Sequence, residues 1–354
     1  LSTSDVTKQG MRGARPGREA LTGSKRVRRR RGDRHAMVPE AEFRSYYGKP
    51  VLNQVPWAAT DIAGYLFLGG LAGASSVLAA GAELTGRPDL ARAMKVGALG
   101  AISGSVVALV HDLGRPARFV NMLRVCKPSS PMSMGSWLLA GYGPLAGAAA
   151  ATSVTGLFPR LGTAATLGAG LVGPAVASYT APLICDTAVP SWHEGYRQMP
   201  FVFVGSGAAA AGGLGMLAAP VGQAGPARRA AVLGAGLELA ATELMERRMG
   251  MVAEPYRTGR AGALMRAAKT LTAAGAVGGA LLGGRSRLAS ALSGAALIAG
   301  SACTRFGVFH AGVQSAADPK YTVVPQRERV RESGLISDQP KVPKAREASE
   351  PAAG

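Results

Sequence analysis

Ionisable and aromatic residues in this chain collect at the edges of apolar stretches, where each one is costly to hold near lipid. Asp61, with Trp57 just before it, opens the first stretch, and His111 and Asp112 close the second. Ser136 and Trp137 open the third, while Tyr179 and Asp186 end the fourth. Arg305 and His310 fall near the end of the last. Such residue types suit proton exchange, because imidazole titrates near neutrality and burial raises a carboxylic acid. A quinone has this need: a slot with apolar walls, a few polar contacts at its two carbonyls, and groups that give or take protons as electrons move. Glu238 and Glu243, inside the sixth stretch, are candidates for a proton path, as is Asp186, or they form a polar seam between helix bundles.

Metal chemistry has little to build on. Cys126, Cys185 and Cys303 are far apart and form no CxxC pair, so neither an iron–sulfur cluster nor a zinc site is expected in this chain. His111, His193 and His310 reach the same side of the membrane, which makes an inner bis-His haem geometrically conceivable. Nothing else in the sequence supports haem, and none is expected.

The elements that must position these residues are apolar stretches near the ~20 residues a helix needs to cross ~30 Å of hydrocarbon. They run over roughly 60–83, 93–113, 134–156, 162–185, 200–220, 226–245, 263–283 and 287–311. The sixth is the weakest, because of its two glutamates. The expected fold is an all-α membrane protein of about eight transmembrane helices in two four-helix bundles, at 55–185 and 198–314. Among 354 residues, 49 are glycine. Small residues let helix backbones approach closely in lipid, and Gly69 and Gly73 make such a face on the first span. Pro144 and Pro174 predict kinks.

The formal net charge is +19, with Arg28, Arg29, Arg30 and Arg31 in a basic arm over residues 1–50. The remaining charge flanks apolar runs and is not laid over a folded surface, which argues against nucleic acid as partner. No short apolar stretch follows the arginines before Pro39, so no secretory signal is read, and Met37 is a second candidate start. Loops 114–133 and 246–269 are richer in Arg and Lys than the alternate loops. The positive-inside bias then puts both termini on the cytoplasmic face of a bacterial cytoplasmic membrane. The tail, 318–354, mixes both charge signs with Pro and Ser and reads as disordered.

This topology brings Asp61, His111, Asp112, Ser136, Trp137, Tyr179 and Asp186 to one leaflet. They define a polar pocket between the first four helices, open to the cytoplasm. A structural use stands beside the functional one: Asp61 as a solvated cap, and His111 with Asp112 and Arg115 as an ion-pair corner.

Two stretches then become specific. Asp61–Gly81 (DIAGYLFLGGLAGASSVLAAG) and His111–Trp137 (HDLGRPARFVNMLRVCKPSSPMSMGSW) resemble the NrfD/PsrC family, the membrane subunit of polysulfide-reductase-type complexes. Ser178–Glu194 (SYTAPLICDTAVPSWHE) is similar to the family's Tyr-Thr-Gly segment and Pro-x-Trp loop, with Ala181 in place of Gly. The resemblance covers roughly residues 55–320. It implies a menaquinone or ubiquinone site, with Tyr179 and Asp61 contacting the quinone and Trp57 nearby. It also implies docking to a ferredoxin-like iron–sulfur subunit, and through that to a molybdopterin-type catalytic subunit. Arg115, Arg118 and Arg124 are placed to meet an acidic partner or lipid head groups. Charge bias puts the docking face inside, whereas the family is often described with its partners outside. The reading is a quinone-reactive membrane anchor that is not catalytic alone. A proton-coupled secondary transporter and a non-catalytic anchor stay open as alternatives.

Overall fold

The computed structural model describes residues 51–113 and 121–332, with a short antiparallel pairing of Val6–Thr7 and Gly10–Met11. The rest of the basic arm, residues 114–120 with Arg115 and Arg118, and the chain after 332 lie outside the described residues. Eight long helices follow in order: α1 (Ala59–Leu84), α2 (Pro88–Asp112), α3 (Pro131–Thr155), α4 (Pro159–Ser178), α5 (Met199–Ala218), α6 (Gly225–Arg248), α7 (Gly259–Leu281) and α8 (Arg287–Ala317). A further helix, α9, covers Lys320–Glu332.

Local chemistry sets these limits. Prolines stand in the first turn of α2, α3, α4, α5 and α6, where a missing N–H is tolerated. Ser130 caps α3 by accepting from Ser133 N at 3.4 Å. Ser133 Oγ instead donates to Val125 O, and Ser136 Oγ to Met132 O, both at 2.9 Å. Gly156 ends α3 at φ 75°, a conformation that favours glycine. α4 breaks at Tyr179 and resumes over Thr180–Cys185. Pro182 has no N–H to offer the Ser178 carbonyl, so the ladder is interrupted there.

Helices α1–α4 form one four-helix bundle and α5–α8 the other, joined where α1 lies against α5 and α8. Absent side chains make the close approaches. A Cβ on Gly73 of α1 would run into Gly173 O and Ala177 N of α4. A Cβ on Gly205 of α5 would sit 2.6 Å from Glu238 N of α6.

Large apolar residues face outward: Leu171 is 83% exposed and Leu233 74%. Soluble monomers do not expose such a belt, and lipid explains it. Among the described residues, five helical spans are individually long and apolar enough to cross a membrane: Ala59–Leu84, Pro88–Asp112, Pro159–Cys185, Met199–Ala218 and Arg287–Ala317. α3, α6 and α7 fall short by composition: α3 is rich in Gly, Ser and Thr, while α6 and α7 carry Arg, Lys and Glu. They complete the two bundles by packing on the apolar five. The protein is an all-α, multi-pass membrane protein.

Two boundaries differ from the sequence reading. α8 runs on to Ala317 rather than ending near 311, and Arg305 within it has no exposed surface. The start of the tail is helical as α9. Tyr321 is buried, Lys320 Nζ pairs with Glu254 at 2.9 Å, and Arg329 Nη1 pairs with Glu194 at 2.9 Å. Mixed charge reads as disorder until these partners appear.

Candidate functional site

The break in α4 turns Tyr179 into the first bundle, where α1, α2 and α3 enclose a cavity of about 420 Å³. Its walls are largely apolar, with Ile62, Leu66, Leu139, Leu183 and Ile184 among them. The polar lining is sparse: Tyr65, Tyr179, Ser136, Asp112 and Asp186, with the indole of Trp57.

Tyr65 and Tyr179 meet hydroxyl to hydroxyl, with their rings edge-on at 73° and centroids 6.4 Å apart. In such a pair one hydroxyl donates to the other, so the accepting phenol keeps its own proton for a third group. Gly135 makes room for this arrangement. A Cβ there would stand 2.5 Å from Cε2 of Tyr179. Ser105 Oγ, donating to Tyr65 O at 3.2 Å, fixes the backbone behind the pair.

The end of the cavity holds the charged groups. His111 Nδ1 lies 2.9 Å from Asp61 Oδ2, with the imidazole mostly exposed and the carboxylate mostly covered. Asp112 accepts from the Ala58 backbone N–H, tying the start of α1 to the end of α2. Trp57 stacks on Trp192 with centroids 5.8 Å apart, and Trp192 is fully buried with Nε1 donating to Val308 O of α8 at 2.8 Å. One wall of the cavity is thereby fastened to the second bundle.

The structure thus brings Tyr179, Asp112, Asp186 and Trp57 around one cavity, with Asp61 and His111 paired beside it. Trp137 is 44% exposed, its Nε1 reaching Val125 O at 3.4 Å, and it does not line the cavity. Arg124 is exposed on the segment before α3, while Arg115 and Arg118 lie outside the described residues. Glu238 is buried between helices of the second bundle. Glu243 is half exposed and ion-paired with Arg247 at 2.8 Å, so it is a surface group and not a neighbour of Glu238 in the core. Cys126, Cys185 and Cys303 are free thiols.

One residue of the site, Tyr65, escaped the sequence reading. Tyr65 lies one helical turn after Asp61, and that i, i+4 spacing was the available signal. Arg305 was legible as a charge in an apolar run.

Residues 50–155 match the family described as polysulphide reductase, NrfD. The matched segment runs through α1, α2 and α3 and so supplies three of the four walls of the cavity. The match supports the NrfD/PsrC assignment. A search of curated proteins finds no match to the chain.

Proposed function

We propose that this protein is the quinone-reactive membrane anchor of a multi-subunit oxidoreductase, with the quinone head group in the cavity beside Tyr65 and Tyr179. One observation carries the reading: a mostly apolar cavity of about 420 Å³ whose deep polar contact is a pair of phenols. The volume lies in the range of small-molecule sites, ~300–1,000 Å³.

The residues present fit the group. A carbonyl oxygen needs a donor, and the phenol that accepts within the pair has one to give. A bound quinone would supply a two-electron, two-proton carbonyl–hydroxyl couple. The chain supplies the rest. Tyr179 and Tyr65 orient the ligand oxygen and hold a proton at it. Ile62, Leu66 and Leu139 exclude water from that end. The Asp61–His111 pair, at the open end, exchanges protons with the aqueous phase, and Asp112 and Asp186 hold negative charge along the way.

The chain holds no redox metal in this reading, so electrons pass to a partner. A ferredoxin-like iron–sulfur subunit would dock at the face bearing Arg124, with Arg115 and Arg118 as further contacts expected from the sequence, and a molybdopterin-type catalytic subunit would follow it. Charge bias puts that face and both termini in the cytoplasm of a bacterium. Protease treatment of sealed inverted vesicles should cleave the amino-terminal arm; an arm protected from cleavage refutes this orientation.

The deciding experiment is quinone content and analogue binding in detergent-purified protein, comparing wild type with Tyr179→Phe and His111→Ala. Each variant loses one hydrogen-bonding group at the site, about 0.5–1.5 kcal/mol or roughly a three- to tenfold loss of affinity. A wild type with neither bound quinone nor a titratable analogue site would leave a non-catalytic anchor or a transporter. A transporter needs free mid-membrane carboxylates. Glu238 does not line the cavity, and Glu243 is half exposed and paired with Arg247, which disfavours it.

A further inference from the structure

The second bundle buries two ionisable groups that the cavity does not use. Arg305 of α8 is fully enclosed. Its Nη2 donates to Phe203 O of α5 at 2.8 Å and its Nε to Leu66 O of α1 at 3.4 Å, and the guanidinium lies 3.8 Å over the Phe203 ring. Nη1 has no protein partner. Glu238 of α6, 2% exposed, accepts from Thr304 of α8 at 2.5 Å and from Thr272 of α7 at 3.5 Å. Ser206 of α5, bonded to Ser301 at 2.8 Å, adds a further hydroxyl to this core. Arg305 is the charged group that attracts Glu238, and Lys269 on α7 is committed to Glu246 at 2.8 Å.

This core is next to the cavity. Leu66 lines the cavity with its side chain and holds Arg305 with its carbonyl. One turn on, Gly69 faces Ser105 and Thr180, and Gly70 would place a Cβ 3.2 Å from Arg305 Nη2. Thr180 follows Tyr179 directly, is fully buried, and its hydroxyl has no protein partner. Buried polar atoms with no protein partner are the usual seats of ordered water. The two residues that carry such atoms, Thr180 with Oγ1 and Arg305 with Nη1, lie against neighbouring glycines of α1, Thr180 through Cγ2 at Gly69 and Arg305 through Nη2 at Gly70.

We propose that Glu238 and Arg305 form a proton-holding site in the membrane interior, joined to the cavity through water at Thr180 and Arg305. This rests on the reading of the cavity as a quinone site. A proton leaving a hydroxyl in the cavity passes by the Tyr65–Tyr179 pair and the waters to the Glu238 carboxylate, which becomes a neutral acid. Arg305 keeps its charge throughout, and the reverse passage returns the proton. No electron travels with it.

Infrared spectroscopy of the purified full chain tests this without any partner or quinone. Wild type should show a protonated-carboxyl stretch that is lost in Glu238→Gln and shifts when water is exchanged for heavy water. Thr180→Val should abolish that shift on the same timescale, and Thr180→Ser, which keeps the hydroxyl, should retain it. Binding of a short-chain quinone analogue is measured on the same samples. No carboxyl band assignable to Glu238 at any pH makes the couple a fixed structural charge pair and overturns the proposal. An exchange rate indifferent to Thr180→Val also overturns it, because the proton then enters by another way. Absent analogue binding with normal Glu238 exchange would instead remove the quinone reading and leave the proton site standing.

Discussion

Gly135→Ala is the smallest change that tests whether the Tyr179 ring is the contact that matters in the cavity. The new methyl would stand 2.5 Å from Cε2 and 2.9 Å from Cδ2 of Tyr179. Carbon atoms rest at ~3.5–4.0 Å, so about 1 Å must be found. Either the ring retreats toward Tyr65 and into the cavity, or α3 moves away from the α4 break. Overpacking of this kind costs ~1–3 kcal/mol. The ring faces empty volume on the cavity side, whereas α3 is held along its length by α4 and α2, so the ring is the softer partner. We expect the affinity for a quinone analogue to fall about tenfold, equivalent to ~1.4 kcal/mol, with only a modest fall in Tm. Quenching of tryptophan fluorescence reads the binding, since Trp57 lines the cavity. Gly141→Ala on the same helix is the control: its Cβ would meet nothing within 4 Å, and alanine is the better helix former by ~1 kcal/mol. If Gly135→Ala binds the analogue like Gly141→Ala while losing stability, the position of Tyr179 does not govern the ligand and the argument fails.

Three further expectations come from the same structure. In a Tyr65→Phe, Tyr179→Phe double-mutant cycle the two losses of analogue affinity should fall short of adding, because either change alone breaks the shared bond; strictly additive losses would show that the phenols act separately. α9 should be held between two pH limits, read as protection of the chain near Arg329 from trypsin. Lys320 holds the Glu254 carboxyl below its ordinary range, through a hydrogen bond and attraction, so that contribution is present above the unfolded Glu value of ~4.3 and is lost as pH falls through the lower folded value. Glu254 raises Lys320, whose contribution is complete below ~10.4 and fades as pH climbs through the higher folded value; Glu254→Gln should remove the acid limit, and an unchanged profile would contradict the pairing. Gly73→Ala should lower Tm through a ~1–3 kcal/mol clash with the α4 backbone at Gly173 and Ala177, and an unaltered Tm would mean that α1 and α4 sit further apart than described.

Much of this was legible because a bilayer simplifies the problem. Helix positions follow from length and hydropathy, and loop charge then sorts polar residues by leaflet. That sorting placed Asp61, Asp112, Tyr179 and Asp186 at one end of the first bundle before any contact was known. It could not tell a lining residue from a neighbour. Trp137 and Asp61 stand at similar depths, yet one faces outward and the other pairs with His111. Rotation about a helix axis is weakly encoded where nearly every face is Gly, Ala or Leu. Glu243 shows the same gap: a short step along α6 from Glu238 separates the core from an exposed pair with Arg247. The capping serine, Ser130, and the helical stretch of α9 also depended on partners distant in sequence or on local turn geometry.

α1 joins the two halves of the functional argument. Successive residues on it do different work: the Tyr65 hydroxyl meets Tyr179 in the cavity, while the Leu66 carbonyl accepts from Arg305 of the second bundle. A helical carbonyl keeps a second lone pair after its own ladder bond, and in lipid an arginine has few better partners. Gly69 and Gly70 then leave the space through which the two bundles approach. A bulky residue at Gly70 would therefore act on both sides at once, pressing on the guanidinium at 3.2 Å and on Gly207 of α5. The family match ends at residue 155, yet the groups nearest this junction in the other bundle, Phe203, Glu238 and Arg305, all lie beyond it. The cavity's walls come mainly from the matched segment. What stands behind them comes from the unmatched half, and the Leu66 carbonyl of α1 is one point at which the two meet.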